Sequence, residues 1–133
     1  MPELICSDLA RSCAFYCDVL GFEVRYARPQ ERFVYLERAG AELMLEEPFG
    51  RALLLPTAEL AHPYGRGVNF EIEVDDVDAL HGAVQAAGLE IFLALEERWY
   101  ERETDLIGVR QFALPDPDGY LMRFSQRLGT RPM

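Results

Sequence analysis

The sequence carries one pattern twice. An apolar extended stretch ending in Ser7-Asp8 leads into a helical pattern that closes at Gly21, and the order recurs from Phe70-Ile72-Val74 through Asp75-Asp76 to Gly88. The spacing from acid to glycine, Asp8 to Gly21 and Asp76 to Gly88, is 13 and 12 residues. A repeat of this length predicts two similar modules that share one core, and it constrains the architecture more than any single residue does.

The repeat places two amphipathic helices. Asp8 is an N-cap residue, and Leu9, Cys13, Tyr16, Cys17 and Leu20 recur on one helical face before Gly21 ends it. In the second copy Asp76 caps, Val77, Leu80, Val84 and Ala87 follow on one face, and Gly88 is the matching stop. Stretches 22–26, 33–38 and 42–47 read as strands after the first helix, and 89–95, 109–114 and 120–126 after the second. Trp99 and Tyr100 fall in an irregular piece between them. Residues 48–67, rich in Pro and Gly, read as the linker between modules of about 1–50 and about 66–127, with Leu53-Leu54-Leu55 packing somewhere within it. At 133 residues and 50% hydrophobic content, one compact domain of two modules is expected, since two independent domains would each be marginal.

Thirteen Lys and Arg against 23 Asp and Glu give a net charge of -10, a field that repels nucleic acid and anionic membranes and favours a cationic ligand. The alternative is that the acidity only keeps a small protein in solution. Neither a charged-then-apolar leader nor an apolar run of the ~20 residues that span a bilayer stands in the sequence, so a cytoplasmic protein is expected. Cys6, Cys13 and Cys17 are odd in number and lie on apolar patterns, which reads as reduced core residues, and a zinc site is not expected.

Two stretches carry a family resemblance. Ser7-Asp8-Leu9-Ala10-Arg11-Ser12 followed by Phe15-Tyr16-Cys17-Asp18-Val19-Leu20-Gly21-Phe22, and Gln111-Phe112 through Asp116-Pro117-Asp118-Gly119-Tyr120, resemble the first-helix signature and the closing hairpin of the vicinal oxygen chelate superfamily. That superfamily holds glyoxalases, extradiol dioxygenases and bleomycin-resistance proteins. The resemblance implies an α+β fold of two tandem βαβββ modules, whose curved mixed sheet surrounds a cleft, and a homodimer. In metal-dependent members, His or Glu side chains on the first and last strands of the modules hold one divalent ion. Carried over by register, those positions fall on Met1 or Pro2, on Asn69 and on Arg123, none of which is a credible ligand, and a guanidinium repels a cation. His62 in the linker and His81 in the second helix lie away from the predicted cleft. No cofactor is therefore expected.

Strand alternation supplies the remaining candidates. Asn69, Glu71 and Glu73 share one side of their strand, opposite Phe70, Ile72 and Val74, and Arg123 lies with Leu121 and Ser125. Arg123 is expected to meet Glu71 or Glu73 across the cleft, either to receive a ligand or as charges that only pair with one another. Met44 and Glu46 are assigned to the cleft because Leu43 and Leu45 take the helix side, and Tyr35 joins them if its register allows. Trp99, framed by Glu96-Glu97-Arg98 and Glu101-Arg102-Glu103, either stacks on a planar or cationic ligand or plugs an edge of the sheet or a dimer contact. There is no Gly-rich phosphate loop and no Ser-His-acid or Cys-His set.

The leading reading is a metal-free small-molecule binder resembling the bleomycin-resistance branch, sequestering an amphipathic or cationic molecule. Two rivals stand beside it. One is a lyase, isomerase or dioxygenase using Glu46, Glu71 and Glu73 to hold a hard ion such as Mg or Mn; the other is a dimerising module with a filled cleft.

Overall fold

A computed structural model describes residues 1–48 and 60–133, so Leu53-Leu54-Leu55 lie outside the described residues. The chain divides into two compact units, Met1–Arg66 with Asp116–Tyr120, and Gly67–Pro115 with Leu121–Met133. The turn at 116–120 therefore belongs with the first unit, whereas the repeat alone assigned it to the second.

The first unit holds β1 (Glu3–Ile5), α1 (Leu9–Cys13), β2 (Glu23–Arg28), β3 (Phe33–Arg38) and β4 (Ala41–Glu46). Its sheet runs β1-β4-β3-β2, with β1 parallel to β4 and the other pairs antiparallel. The second unit repeats the plan with β5 (Asn69–Glu73), α2 (Val77–Ala86), β6 (Leu93–Glu101), β7 (Asp105–Pro115) and β8 (Leu121–Pro132), in the order β5-β8-β7-β6. Each unit is βαβββ with a mixed four-stranded sheet, an α+β architecture.

Both caps form as the sequence requires. The Asp8 carboxylate accepts from the Arg11 amide at 3.2 Å and the Asp76 carboxylate from the Ala79 amide at 3.0 Å. Gly21 (φ 80) and Gly88 (φ 71) occupy the left-handed conformation that ends each helix. The first helix departs from the expected period. From Ala14 to Val19 it widens into π-helical turns, with the Leu20 amide bonded to the Phe15 carbonyl, five residues back. The widening turns both Phe15 and Tyr16 inward, so the buried side is Ser12, Phe15, Tyr16 and Leu20, while Cys13 and Cys17 are only half-buried. The α2 face is as expected, with Val77, Leu80 and Val84 buried.

The strands of the second unit outrun their sequence signal. β6 begins at Leu93 and continues through Trp99 and Tyr100 to Glu101, β7 starts at Asp105, and β8 reaches Pro132. The charges around Trp99 read as loop, but β6 is an edge strand, where side chains on both faces meet water and charge is tolerated.

Alternation fixes which side of each sheet is covered. Leu43, Leu45, Val34 and Leu36 are buried with Phe15, Tyr16 and Leu20 in the first unit; Ile72, Val74, Phe112, Leu114, Met122 and Phe124 are buried with Val77, Leu80 and Val84 in the second. Each such side chain contributes roughly 1.5–3 kcal/mol on leaving water. The opposite, open faces carry the polar residues.

The turn at 116–120 is closed by buried charge. Asp116 Oδ1 accepts from the Asp118 and Tyr120 amides, both at 2.9 Å, and Oδ2 accepts from the Tyr16 hydroxyl at 2.7 Å. Asp118 accepts from the Ser7 amide and hydroxyl and from the Ser12 hydroxyl. Removing one partner of a buried carboxylate costs its desolvation. Tyr16→Phe is expected to lower stability by about 1–3 kcal/mol, read as a lower midpoint with an unchanged slope in urea unfolding.

Candidate functional site

The open face of the second sheet gathers polar side chains from all four strands. Arg123 on β8 pairs in register with Glu71 on β5, and Gln111 on β7 pairs with Ser125. The Arg123 guanidinium donates through Nε to Asn69 Oδ1 at 3.2 Å, and through one terminal nitrogen to Gln111 Oε1 at 3.2 Å and Glu71 Oε2 at 3.4 Å. The Gln111 amide nitrogen in turn donates to Glu96 at 3.1 Å and to the Tyr100 hydroxyl at 2.7 Å. Above this network opens a pocket of about 350 Å³, with Phe92, Leu93, Ala113 and Leu121 as apolar walls and Arg98 and Tyr100 on its β6 side. A neighbouring hollow of about 320 Å³ is bounded by Glu71, Glu73, Val109 and Arg127.

Arg123 thus meets Glu71, as a neighbour on a paired strand and not across a gap, and Asn69 joins them. Glu73 shares their face in the adjoining hollow. Trp99 does not join them. Its ring covers Gly108, where an added Cβ would lie 2.5 Å from the indole, and the Arg131 guanidinium stacks on it at 3.8 Å. Strand alternation puts it on the face opposite Arg98 and Tyr100, away from that pocket.

On the first sheet, Tyr35 pairs with Met44, and Phe33 with Glu46, so Tyr35, Met44 and Glu46 share the open face. Glu46 is only 6% exposed. Its carboxyl is pushed from 4.5 to about 7, by burial first, then by a hydrogen bond to Glu3 and the charges of Glu3 and Glu31, with Arg28 pulling the other way.

A family model for the Glyoxalase/Bleomycin resistance protein/Dioxygenase superfamily matches residues 2–124. The chain belongs to that superfamily. A "Bleomycin resistance protein" of Geobacillus stearothermophilus is 27% identical to this superfamily member, the match covering 96% of each chain. Among solved structures, TioX from Micromonospora sp. ML1 superposes with a TM-score of 0.75 at 22% identity, covering 96% of this chain and 98% of that one. A protein of unknown function from Agrobacterium tumefaciens str. C58 gives 0.71 at 29%, over 96% and 91%.

Superfamily membership raises the question of a metal, and the donor set answers poorly. Arg123 stands where a last-strand carboxylate would be needed, and Asn69 and Glu71 are bonded to it. Among the described residues no group of three or more His, Cys, Asp or Glu is placed to hold a metal ion. Glu46 belongs to the first unit and Glu71 and Glu73 to the second. His81 packs edge-on against Phe112 at 5.1 Å. Burial pushes the Cys6 thiol up to about 12 and raises Cys13 and Cys17, which makes all three poor nucleophiles.

Sequence reasoning missed Gln111, Glu96, Arg98 and Tyr100. Gln111 was visible only as part of a family-like stretch, although a polar residue amid Val109, Phe112, Ala113 and Leu114 was the available signal. The pocket of the second sheet is not predominantly acidic, because Arg98 and Arg123 stand there beside Glu96 and Glu71. Acid excess gathers on the first sheet, as Glu3, Glu31 and Glu46 around Arg28.

Glu46 has a pH consequence. The folded state holds its proton more tightly than the unfolded chain, so its contribution to stability is full below 4.5 and is lost as pH rises through about 7. Glu46→Gln is expected to stabilise the protein by roughly 2–3 kcal/mol at pH 8 and by little at pH 4, read from denaturation midpoints at the two values.

Proposed function

We propose that this superfamily member is a small-molecule binding protein that sequesters an amphipathic or cationic compound without transforming it and without a bound metal. The observation that carries this reading is the Arg123–Asn69–Glu71–Gln111 network. It lies as paired charge beneath a pocket whose walls are apolar on one side and polar on the other. The name carried by the Geobacillus relative puts bleomycin-type compounds first among candidate ligands. The reading includes a homodimer resident in the cytoplasm, and light scattering is expected to give twice the 15.2 kDa chain mass.

The test is thermal unfolding of chelator-treated protein against two panels, divalent metals and amphipathic antibiotics that include bleomycin. A ligand at a hundredfold excess over its Kd adds about 2.7 kcal/mol, a rise of roughly 10 °C for a chain of this size. Stabilisation by an organic compound with none from metals is expected; stabilisation by Mg or Mn alone would overturn the reading.

A further inference from the structure

The open face of the first sheet already holds a cation of its own. Arg28 lies over the Phe33 ring, its guanidinium carbon 3.9 Å from the centroid, and its Nε donates to Glu31 at 2.6 Å. Tyr26 stands beside Phe33 with centroids 6.1 Å apart and beside Tyr35 at 5.1 Å. Three aromatic rings thus line a patch whose floor is Phe33, 2% exposed, and whose cross-strand neighbour is the buried Glu46. Ring faces attract a planar cation most strongly once it is desolvated, and a carboxylate beneath adds direct attraction.

The contacts that hold Arg28 there, to Phe33, Glu31 and Tyr26, are reached by water. The Arg28 side chain and that of Glu31 are 45% and 46% exposed, and an exposed pair three residues apart contributes little. A free cation of the same shape can therefore replace it at small cost. From this geometry we infer that the Phe33, Tyr26 and Tyr35 patch is a binding site for a planar guanidinium or amidinium group of a ligand, with Arg28 as an internal occupant that the ligand displaces. The inference rests on the small-molecule reading above and names the chemical class of the charged end.

Occupancy is coupled to one proton. The groups facing Glu46 are Glu3 from β1, Glu31 from the turn after β2, and Arg28 from β2 itself. With an incoming cation in contact, the Glu46 proton leaves for solvent as H⁺ and Glu46 becomes a carboxylate. Binding is therefore expected to strengthen as pH rises through neutrality.

The probe is benzamidine, with neutral benzamide as control, titrated calorimetrically into the full chain at pH 5.5 and pH 8. Benzamidine is expected to bind at least about tenfold more tightly than benzamide, and about tenfold more tightly at pH 8 than at pH 5.5. Arg28→Ala, which empties the patch, is expected to tighten it about fivefold, and Tyr26→Ala, at a residue 50% exposed, to weaken it by a similar factor. Glu46→Gln removes the pH dependence. Equal binding of benzamide, or no gain from Arg28→Ala, overturns the inference; if an amphipathic antibiotic still stabilises the protein in that case, the sequestration reading survives it. Loss of binding by every organic compound overturns both.

Discussion

Two buried carboxylates hold the turn at 116–120 against the first helix. Asp116 and Asp118 are 5% and 3% exposed, and such charge is tolerated only where donors surround it. Ser7, Ser12 and Tyr16 supply side-chain donors, and the Ser7 amide and the turn's own amides supply backbone ones. Satisfying them fixes where the turn between β7 and β8 begins. Arg123 lies seven positions beyond Asp116, so a slip of one residue would carry it from the open face into the apolar layer occupied by Met122 and Phe124. A locked turn thus decides which face a distant cation occupies.

Much of this was legible because it follows local rules. Asp8 and Asp76 cap, Gly21 and Gly88 stop, and the alternation of Leu43, Met44, Leu45 and Glu46 assigns faces without any knowledge of tertiary structure. Illegible features depend on neighbours distant in sequence. The π-helical turns at 14–19 answer to packing, and a regular 3.6-residue period cannot anticipate them. Gln111 looks like a stray polar residue until Arg123, Glu96 and Tyr100 are brought around its amide. Trp99 was misplaced because the charges beside it suggested a loop, whereas an edge strand accepts charge, and one step of alternation carries the ring to the far side.

Net charge proved a coarser guide than its placement. The excess of acid is uneven: the second sheet pairs its arginines with glutamates on the open face, while the first sheet presses Glu46 against Glu3 at the cost of holding a proton near neutrality. A whole-molecule field steers a cation toward the protein. The local balance differs between the sheets: charge on the second is paired, while on the first acids lie against one another.

Trp99 adds an optical consequence. Its indole lies with one face on the backbone of Gly108 and the other beneath Arg131, and its Nε1 donates to Glu97 at 3.4 Å. Emission from the sole tryptophan therefore gauges whether the outer ends of β6, β7 and β8 stay zipped together. Red-shifted light at mild denaturant would mark fraying of that corner while the remaining strands stayed paired, giving this chain a built-in lamp for local opening on the side turned away from its pocket.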